Sequence, residues 1–526
     1  MKKEWDVSVD GRKLSGGEII SAIFESRNID DMSHFLCPNE CDLIPFDKMI
    51  NIDQAFKIID DAIMMNESFL IYADTDTDGC TSGAIMYRYL LNFTDNISCY
   101  INEGKAHGVA SFDVSQCYSD VIIIVDSIDK PDCYKKFIDL GKRVVILDHH
   151  IVPDNFDADV VLVSSANNYP NPHLSGAGVV WKFCKYCDEM YLTDYADSLV
   201  DLATCGIIAD MVDMTSEENR YICSLGFKNI KNTGIKKVNG GYKFDSQAIS
   251  FGIAPLVNAA NRLNINEQAL KLFLEDDEKE VGKIIKTLKS AKEQQNIIVS
   301  ELMPSITAQA QMQINNKVMS FVIDTVSSVS GLIGNQLVAK YQRPVFVLKK
   351  TDNGYSGSGR GYGLDNFKQY VDNTGLACTG GHENAFGIEI SDENYNTLMY
   401  NINQILSDVE FSETQFADIE LNLEQVDTNL IDNFKAVNLI SGEGFKPLKV
   451  VIRNITDYDV GTMSNGKHLK ISVGDLIIIK WNYQGDFEEF DGRPFSIIGG
   501  LSSGFFGRTF YKQIIIDDYM FEDVIK

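Results

Sequence analysis

The stretch "FLIYADTDTDGCTSG", residues 69–83, ends an apolar run in three aspartates spaced by single residues: Asp74, Asp76 and Asp78. Two more apolar runs end in ionisable groups, "VIIIVDSID" at Asp126 and "RVVILDHH" at Asp148, His149 and His150. A fourth apolar segment, "VDLATCGIIADMVDM", delivers Asp210. Crowded carboxylates either share protons or hold cations. Carboxylate oxygens and imidazole nitrogens without cysteine suit Mn²⁺ or Mg²⁺ better than structural zinc. Two ions sharing one carboxylate would neutralise such a cluster and activate a water for attack on phosphorus. A lone Asp-x-Asp at a strand end is commonly a helix cap or a turn. Acidic ends on four separate segments are not explained that way.

These segments read as strands because they are short, wholly apolar and rich in β-branched residues, with helical patterns between them. "NIDQAFKIIDDAIMM" and "TSGAIMYRYLLNF" are amphipathic helices flanking the first strand. In an open parallel sheet, ligands bind outside the carboxyl ends of the strands, so the acids would share one crevice. The expected class is α/β. A helical, partly irregular lead-in occupies 1–50 and a parallel-sheet domain 51–265. A long connecting helix follows over 266–315, then a second α/β segment over 316–408. Residues 409–526 begin with an acidic stretch, "QFADIELNLEQVDT", and continue in short β-branched strands that read as a small β-barrel.

A chain of 526 residues fits about three or four domains. Its 44% hydrophobic and 23% charged content suits full cores. No apolar run is long enough to span a membrane, and the polar start "MKKEWDVSVDGRK" is not a secretory signal. Eleven cysteines in such a chain indicate free thiols in a reducing cytoplasm. Cys184-x-x-Cys187 lacks the second pair of a zinc site and lies in a helical context. Gly176-Ala-Gly178 is too short for a nucleotide loop and lets the following helix pack closely.

Net charge is −28, which argues against a nucleic-acid partner unless acids hold cations and bases cluster locally. Bases do cluster. Lys228, Lys231, Lys236, Lys237 and Lys243 lie in a run without acids, and Lys279, Lys283, Lys286, Lys289 and Lys292 wind along the connecting helix. Beside the second run, Val281, Ile284, Ile285 and Leu288 form an apolar face at helical spacing. Each run is either a solvated face or a wall of a single-strand channel.

The order of these motifs resembles the DHH phosphoesterase superfamily, whose triplet stands here as Asp148-His149-His150. "APLVNAANRLN" (254–264), "GLIGNQLVAKYQRPVFVL" (331–348), "GSGRG" (357–361) and "TGGHENAFG" (379–387) are similar to the RecJ exonuclease branch and its DHH-associated domain. "GEGFKPL" and "GKHLKISV" resemble the start of its OB-fold. The resemblance implies a parallel-sheet DHH domain, a DHH-associated substrate-binding domain and an OB-like barrel. It places metal ligands on Asp76, Asp78, Asp126, His149 and Asp210, with Asp126 bridging two Mn²⁺ or Mg²⁺ ions and Asp74 as an additional acid. It implies that His150 contacts the scissile phosphate, that Arg262 with Asn258 holds a phosphate, and that Ser358, Arg360 and His382 bind the strand. Two positions depart from the pattern: Tyr72 stands where RecJ proteins carry histidine, and an expected loop arginine is replaced in "INEGKAHGV", where Lys105 or His107 could substitute. The implied activity is 5′→3′ hydrolysis of single-stranded DNA to 5′-mononucleotides. The implied partners are single-stranded DNA and a single-strand-binding protein or helicase, with no membrane. The alternatives are a phosphodiesterase of short oligonucleotides or cyclic dinucleotides, and an inactive RecJ-like replication scaffold.

Overall fold

In "EWDVSVD" the apolar residues Trp5, Val7 and Val9 alternate with polar ones, which is the two-residue period of a half-buried strand. The computed structural model places a strand there, β1 (Glu4–Asp10). The structure describes residues 4–104, 108–153, 156, 159–324, 329–411, 414–464, 466–483, 485–490, 492–506 and 509–522. The first fifty residues are therefore not helical throughout. The helices α1 (Gly16–Ser26), α2 (Met32–Leu36) and α3 (Ile52–Met64) follow β1.

The apolar runs form one five-stranded, all-parallel sheet: β2 (Phe69–Ala73), β3 (Ile97–Ile101), β4 (Val121–Val125), β5 (Arg143–Asp148) and β6 (Val161–Ser164), in the order β3-β2-β4-β5-β6. Alternate residues feed opposite faces. Phe69, Ile71, Ile123 and Leu147 enter one core, and Leu70, Tyr72, Ile124 and Ile146 enter another. Burial on both faces explains why these strands read as continuous apolar runs. The chain adds β3 on one side of β2 and then returns to add β4 on the other. The gap between β2 and β4 is thus the topological switch point, where such sheets open a ligand crevice.

Around this sheet lie α4 (Thr77–Leu90), α5 (Asp132–Ile138), α6 (Gly176–Tyr191), α7 (Val200–Ala209), α8 (Glu217–Lys228), α9 (Thr233–Asn239), a single-turn π-helix (Ala248–Ile253), α10 (Ala254–Arg262) and α11 (Asn266–Leu274). The expected connecting helix over 266–315 is two helices, because α12 begins anew at Glu278 and runs to Met312. The acidic run between them makes the break. The Glu275 carboxylate accepts the backbone N–H groups of Asp276 and Asp277, and Asp277 accepts those of Lys279 and Glu280, so α12 starts on its own cap. Pro304 lies within α12 without ending it.

The second sheet is mixed, in the order β10-β11-β9-β8-β7. Its strands are β7 (Met319–Val322), β8 (Val345–Thr351), β9 (Gly354–Arg360), β10 (Ala377–His382) and β11 (Ala385–Ser391), with α13 (Ser330–Tyr341), α14 (Phe367–Asp372) and α15 (Asp392–Ile405). The remainder is β-rich: β12 (Thr414–Leu421), α16 (Thr428–Val437), β13 (Val450–Ile455), β14 (Asp459–Met463), β15 (His468–Val473), β16 (Leu476–Lys480), β17 (Phe495–Phe506) and β18 (Thr509–Phe521). With β1 they form an eight-stranded sheet, ordered β1-β12-β13-β17-β18-β16-β15-β14.

Two compact units result. One holds Met1–Glu4, Arg262–Asn264 and Lys289–Thr414; the other holds Trp5–Asn261, Ile265–Leu288 and Gln415–Lys526. In the larger unit a single apolar core runs from Ile19 through Ile71 and Val125 to Ile419, Phe434 and Ile516. All eleven cysteines are free thiols, and Cys184 and Cys187 are buried in that core. No helix among the described residues is long and apolar enough to cross a membrane.

Candidate metal centre

Strand register brings the acids together. Ala73 pairs with Val125 and Val125 with Leu147, so Asp74, Asp126 and Asp148 leave adjacent strands at one level. Asp126 is held in the left-handed region, φ 59°, with its N–H donated to Leu147 O at 3.0 Å. Asp76 and Asp78 lie on the turn into α4. Asp76 is the N-cap, its carboxylate accepting Gly79 N–H at 3.0 Å, and Asp78 sits in the first turn. Asp210 is the residue capping the C-terminus of α7, so its segment is a helix and not a strand. The correction has a physical source: α7 is buried nearly all round, and an all-apolar helix has no stripe by which to tell it from a buried strand.

The ligand-type atoms converge in overlapping groups. Asp74, Asp76 and Asp126 offer oxygens all within 4.8 Å of one another, and the carboxylate oxygens and imidazole nitrogens of Asp78, His149 and Asp210, and of Asp126, His149 and His150, converge equally closely. His149 Nε2 lies 3.2 Å from Asp126 Oδ1, 3.6 Å from Asp210 Oδ2 and 3.9 Å from Asp78 Oδ2. Despite the 3.2 Å approach, Asp126 Oδ1 is buried without a hydrogen bond of acceptable angle. Burial, followed by the charges of Asp78, Asp76, Asp74 and Asp210, pushes the Asp126 carboxyl far above the carboxylate range. Burial, followed by the charges of Asp78 and Asp76 and of Asp148, raises Asp210 to about 8 against the opposing charge of His150. An orphaned buried oxygen inside a cluster of mutually repelling carboxylates is a donor set that fits hard divalent cations.

His150 is treated differently by its surroundings. Its Nδ1 meets Asp148 Oδ1 at 2.9 Å, and its side chain is 47% exposed while Asp148 is fully buried. Burial disfavours the imidazolium, but the Asp148 hydrogen bond and charge outweigh it and raise His150 to about 9. Burial also opposes the Asp148 carboxylate, yet the His150 hydrogen bond and the charges of both histidines hold its pKa below the usual value.

The seat of Asp78 is not readable from the acidic motifs. The Ser175 hydroxyl donates to Asp78 Oδ1 at 3.0 Å, Gly176 N–H to Oδ2 at 2.7 Å and Ala177 N–H to Oδ1 at 3.0 Å. The N-terminus of α6 thus clamps both carboxylate oxygens. Two glycines make room. A Cβ on Gly176 would stand 2.4 Å from Asp126 Oδ1, and one on Gly206 2.2 Å from Asp78 Oδ1. The available signal was Ser175 before Gly176-Ala-Gly178, an N-cap pattern.

Tyr72, at the position where histidine was expected, contributes elsewhere. Its hydroxyl donates to Asn102 Oδ1 at 2.6 Å and lies 3.0 Å from Gly108 O. Asn266 in turn donates to the carbonyls of Asn102 and Gly104. Lys105 and His107 lie outside the described residues. Asn258 is half-buried on α10, one turn before Arg262.

The smaller unit gathers cations. Arg262 Nη1 donates to Gln295 Oε1 at 3.0 Å, and its buried Nε has no hydrogen-bond partner. Arg360 donates from Nε to Asn335 Oδ1 at 2.8 Å and from Nη1 to Gly359 O at 2.8 Å. Burial and the nearby Arg262 charge lower the pKa of Arg360, and the same two effects lower Lys292. The Ser358 and Ser330 hydroxyls are 2.8 Å apart. Arg262, Arg360 and Lys292 are therefore neighbours. His382 is exposed at the end of β10. On the sequence Lys292 is only one of the lysines along the connecting helix, a solvated face or a channel wall, and Gln295 is not singled out, since it belongs to an ordinary amphipathic helix.

A parallel sheet whose switch point gathers aspartates and a Asp-His-His triplet defines the DHH class of phosphoesterase fold. Residues 68–216 match the model of the DHH family, N-terminal domain. The chain is 28% identical over 446 residues to YorK, an SPbeta prophage-derived protein of Bacillus subtilis assigned as a single-strand DNA-specific exonuclease, covering 76% of this chain and 77% of that one. It is 26% identical to the single-stranded-DNA-specific exonuclease RecJ of Bacillus subtilis, over 95% of this chain and 67% of that one. The structure of RecJ from Thermus thermophilus in complex with Mn²⁺ superposes with a TM-score of 0.80 at 19% identity, covering 98% of this chain and 79% of that chain. Its complex with Mg²⁺ gives 0.74. The chain carries a DHH-family N-terminal domain over residues 68–216 and is RecJ-like along most of its length.

Proposed function

We propose that this chain is a metal-dependent exonuclease that hydrolyses single-stranded DNA 5′→3′ and releases 5′-mononucleotides. The observation that carries this reading is the set of overlapping ligand groups, two joined through Asp126 and two through His149, with Asp126 Oδ1 buried and making no hydrogen bond. Asp76, Asp78, Asp126, His149 and Asp210 would hold two Mn²⁺ or Mg²⁺ ions, with Asp126 common to both and Asp74 beside the first. When bound, the ions supply Lewis-acid activation of the phosphoryl group and of the attacking water.

The chain's own groups do the rest. Asp148 accepts the Nδ1–H of His150, orients the ring and keeps it protonated, so its Nε2–H would be a charged donor to a phosphate oxygen as negative charge develops there. The α6 N-terminus holds Asp78 in one orientation. Arg262, Asn258, Ser358, Arg360 and His382 would bind strand phosphates. Arg262 has an unused buried N–H for that purpose, and Arg360 is fixed by Asn335. The segments take the roles of a DHH domain (51–265), a connecting region (266–315), a DHH-associated substrate-binding domain (316–408) and an OB-like region (409–526). The names of YorK and RecJ support single-stranded DNA as the substrate. The setting would be cytoplasmic, with a single-strand-binding protein or helicase as the partner class.

The test is digestion of end-labelled single-stranded DNA by chelator-treated protein with Mn²⁺ added back. A 5′ label should leave at once as a mononucleotide and a 3′ label only at the end. Early release of the 3′ label overturns the polarity. Hydrolysis confined to very short or cyclic substrates favours the small-substrate phosphodiesterase instead, and no Mn²⁺-dependent hydrolysis favours the scaffold.

A further inference from the structure

Between Glu218 and Asp245 the chain carries no acidic residue, in a protein with 75 acids and a net charge of −28. Lys228, Lys231, Lys236, Lys237 and Lys243 within it are all exposed. Lys237 lies 3.2 Å from Glu278, and the other four make no ion pair among the described residues. Two large rings stand out among them: Tyr242 is 82% exposed and Phe251 80%.

The backbone beneath them is fixed. Gly240 and Gly241 both take left-handed φ, 64° and 83°, and turn the chain sharply out of α9. The Asn239 side chain then hydrogen-bonds Tyr242 O. Phe244 turns inward and meets Phe227 edge-on at 5.5 Å. Ile235 of α9 and Ile249 and Ile253 of the π-helix are fully buried in the core. The π-turn adds one residue to the helical register and leaves Phe251 outside. Two largely exposed rings thus stand on a lysine-bearing segment whose bounding acids are Glu218 and Asp245, with Glu278 meeting Lys237 alone among the lysines.

We infer that this surface, formed by the end of α8, α9, the 240–246 turn and the π-helix, is a strand-holding site outside the metal centre. Its occupant is single-stranded DNA, with phosphates on the lysines and bases stacked on Tyr242 and Phe251. Flat rings interleaved with lysines suit a polyanion whose base faces are free, and duplex DNA hides those faces. The inference rests on the single-strand reading above but concerns binding only.

The test is fluorescence anisotropy of a long labelled oligo(dT) with the full chain in EDTA, across a range of NaCl concentrations. The triple variant Lys231→Ala/Lys236→Ala/Lys243→Ala should lower the salt slope by about 2, at roughly 0.7 per lost phosphate contact on a single strand. The variant Tyr242→Ala/Phe251→Ala should bind about tenfold more weakly or worse, with the slope kept, as expected for lost stacking. A charge-matched control on exposed lysines elsewhere, Lys13→Ala/Lys48→Ala/Lys57→Ala, should leave the slope unchanged. Equal slopes for the triple variant and the control, or no binding by the unmodified chain, overturn the inference. All substituted side chains are exposed, and thermal melting of each variant checks the fold. Normal Mn²⁺-dependent digestion with unchanged slopes removes this surface alone. The expected slope changes without any digestion remove the nuclease reading and leave the surface standing.

Discussion

Replacing Asp126 by Asn removes a buried carboxyl that, without metal, must take up a proton among neighbouring acids when the chain folds. Without metal the substituted chain should melt at a higher temperature than the native one, while Mn²⁺-dependent hydrolysis falls to background. Near-native turnover would exclude Asp126 from the centre. The raised pKa values of Asp126 and of Asp210, at about 8, carry a second consequence. Below that range the metal-free site holds protons that an arriving cation must displace. Mn²⁺ affinity, measured by calorimetry on chelator-treated protein, should therefore increase as pH rises towards and through about 8. Equal affinity at pH 6 and 8.5 would contradict this. His150 is a separate case, because its Nδ1 is committed to Asp148. His150→Ala should reduce turnover by roughly a hundredfold or more with Mn²⁺ affinity little changed, whereas His149→Ala should lose the metal. Matching losses of Mn²⁺ binding in the two variants would make His150 a ligand instead.

At the scale of elements, the α6 N-terminus sets how well Asp78 is aimed. Ser175→Ala removes the hydroxyl donor to Oδ1 and the cap of a 16-residue helix. Mn²⁺ affinity should fall by about 10- to 100-fold, the usual scale for a group supporting a ligand. Stability should fall by about 1 kcal/mol for the lost cap. Ser175→Thr should restore both, and unchanged Mn²⁺ affinity in Ser175→Ala would reduce the serine to a cap alone. The strands β2, β4 and β5 were legible because burial on both faces leaves runs such as "VIIIV" that little else produces. The acids at their ends were legible because charge after such a run has few structural uses. Asp210 was misplaced on a strand because buried α7 lacks an amphipathic stripe. β1 was missed because its partner, β12, lies some four hundred residues along the chain. The clamp on Asp78 joins residues about a hundred apart in sequence, and no local pattern announces which carboxylate a helix end will meet.

For the molecule as a whole, the shared core of the larger unit decides what can be removed. A chain ending near Asp408 loses β12–β18 and with them Ile419, Phe434, Ile452 and Ile516 from the core that also holds Ile71 and Val125. It also strands the buried Arg220, whose guanidinium donates to Ile440 O at 3.0 Å as well as to Phe35 O and Met214 O. Such a truncation should be unfolded by circular dichroism, so it cannot test whether the β-rich region binds DNA. Point changes on its surface can: Trp481 is 48% exposed with the His468 ring edge-on to it at 4.8 Å, and Lys470 lies on the same strand as His468. A cooperative melt retained by the truncated chain would show that the core is divisible after all.

The same arrangement fixes an order of events during synthesis. Residues 289–414 lie within the smaller unit, which carries its own apolar clusters around Phe321 and Phe346. The larger unit is built from segments before and after that stretch, and its first strand, β1, pairs with β12, the first strand after it. A nascent chain can therefore close the inserted unit while its host still waits for strands not yet translated. Ribosome-stalled chains of increasing length, probed by limited proteolysis, should show a resistant fragment from the insert first. Protection of the DHH segment should come only after β18 has left the tunnel. Until then the acids of the metal centre sit on an unfinished scaffold, so metal loading becomes a late, post-translational step.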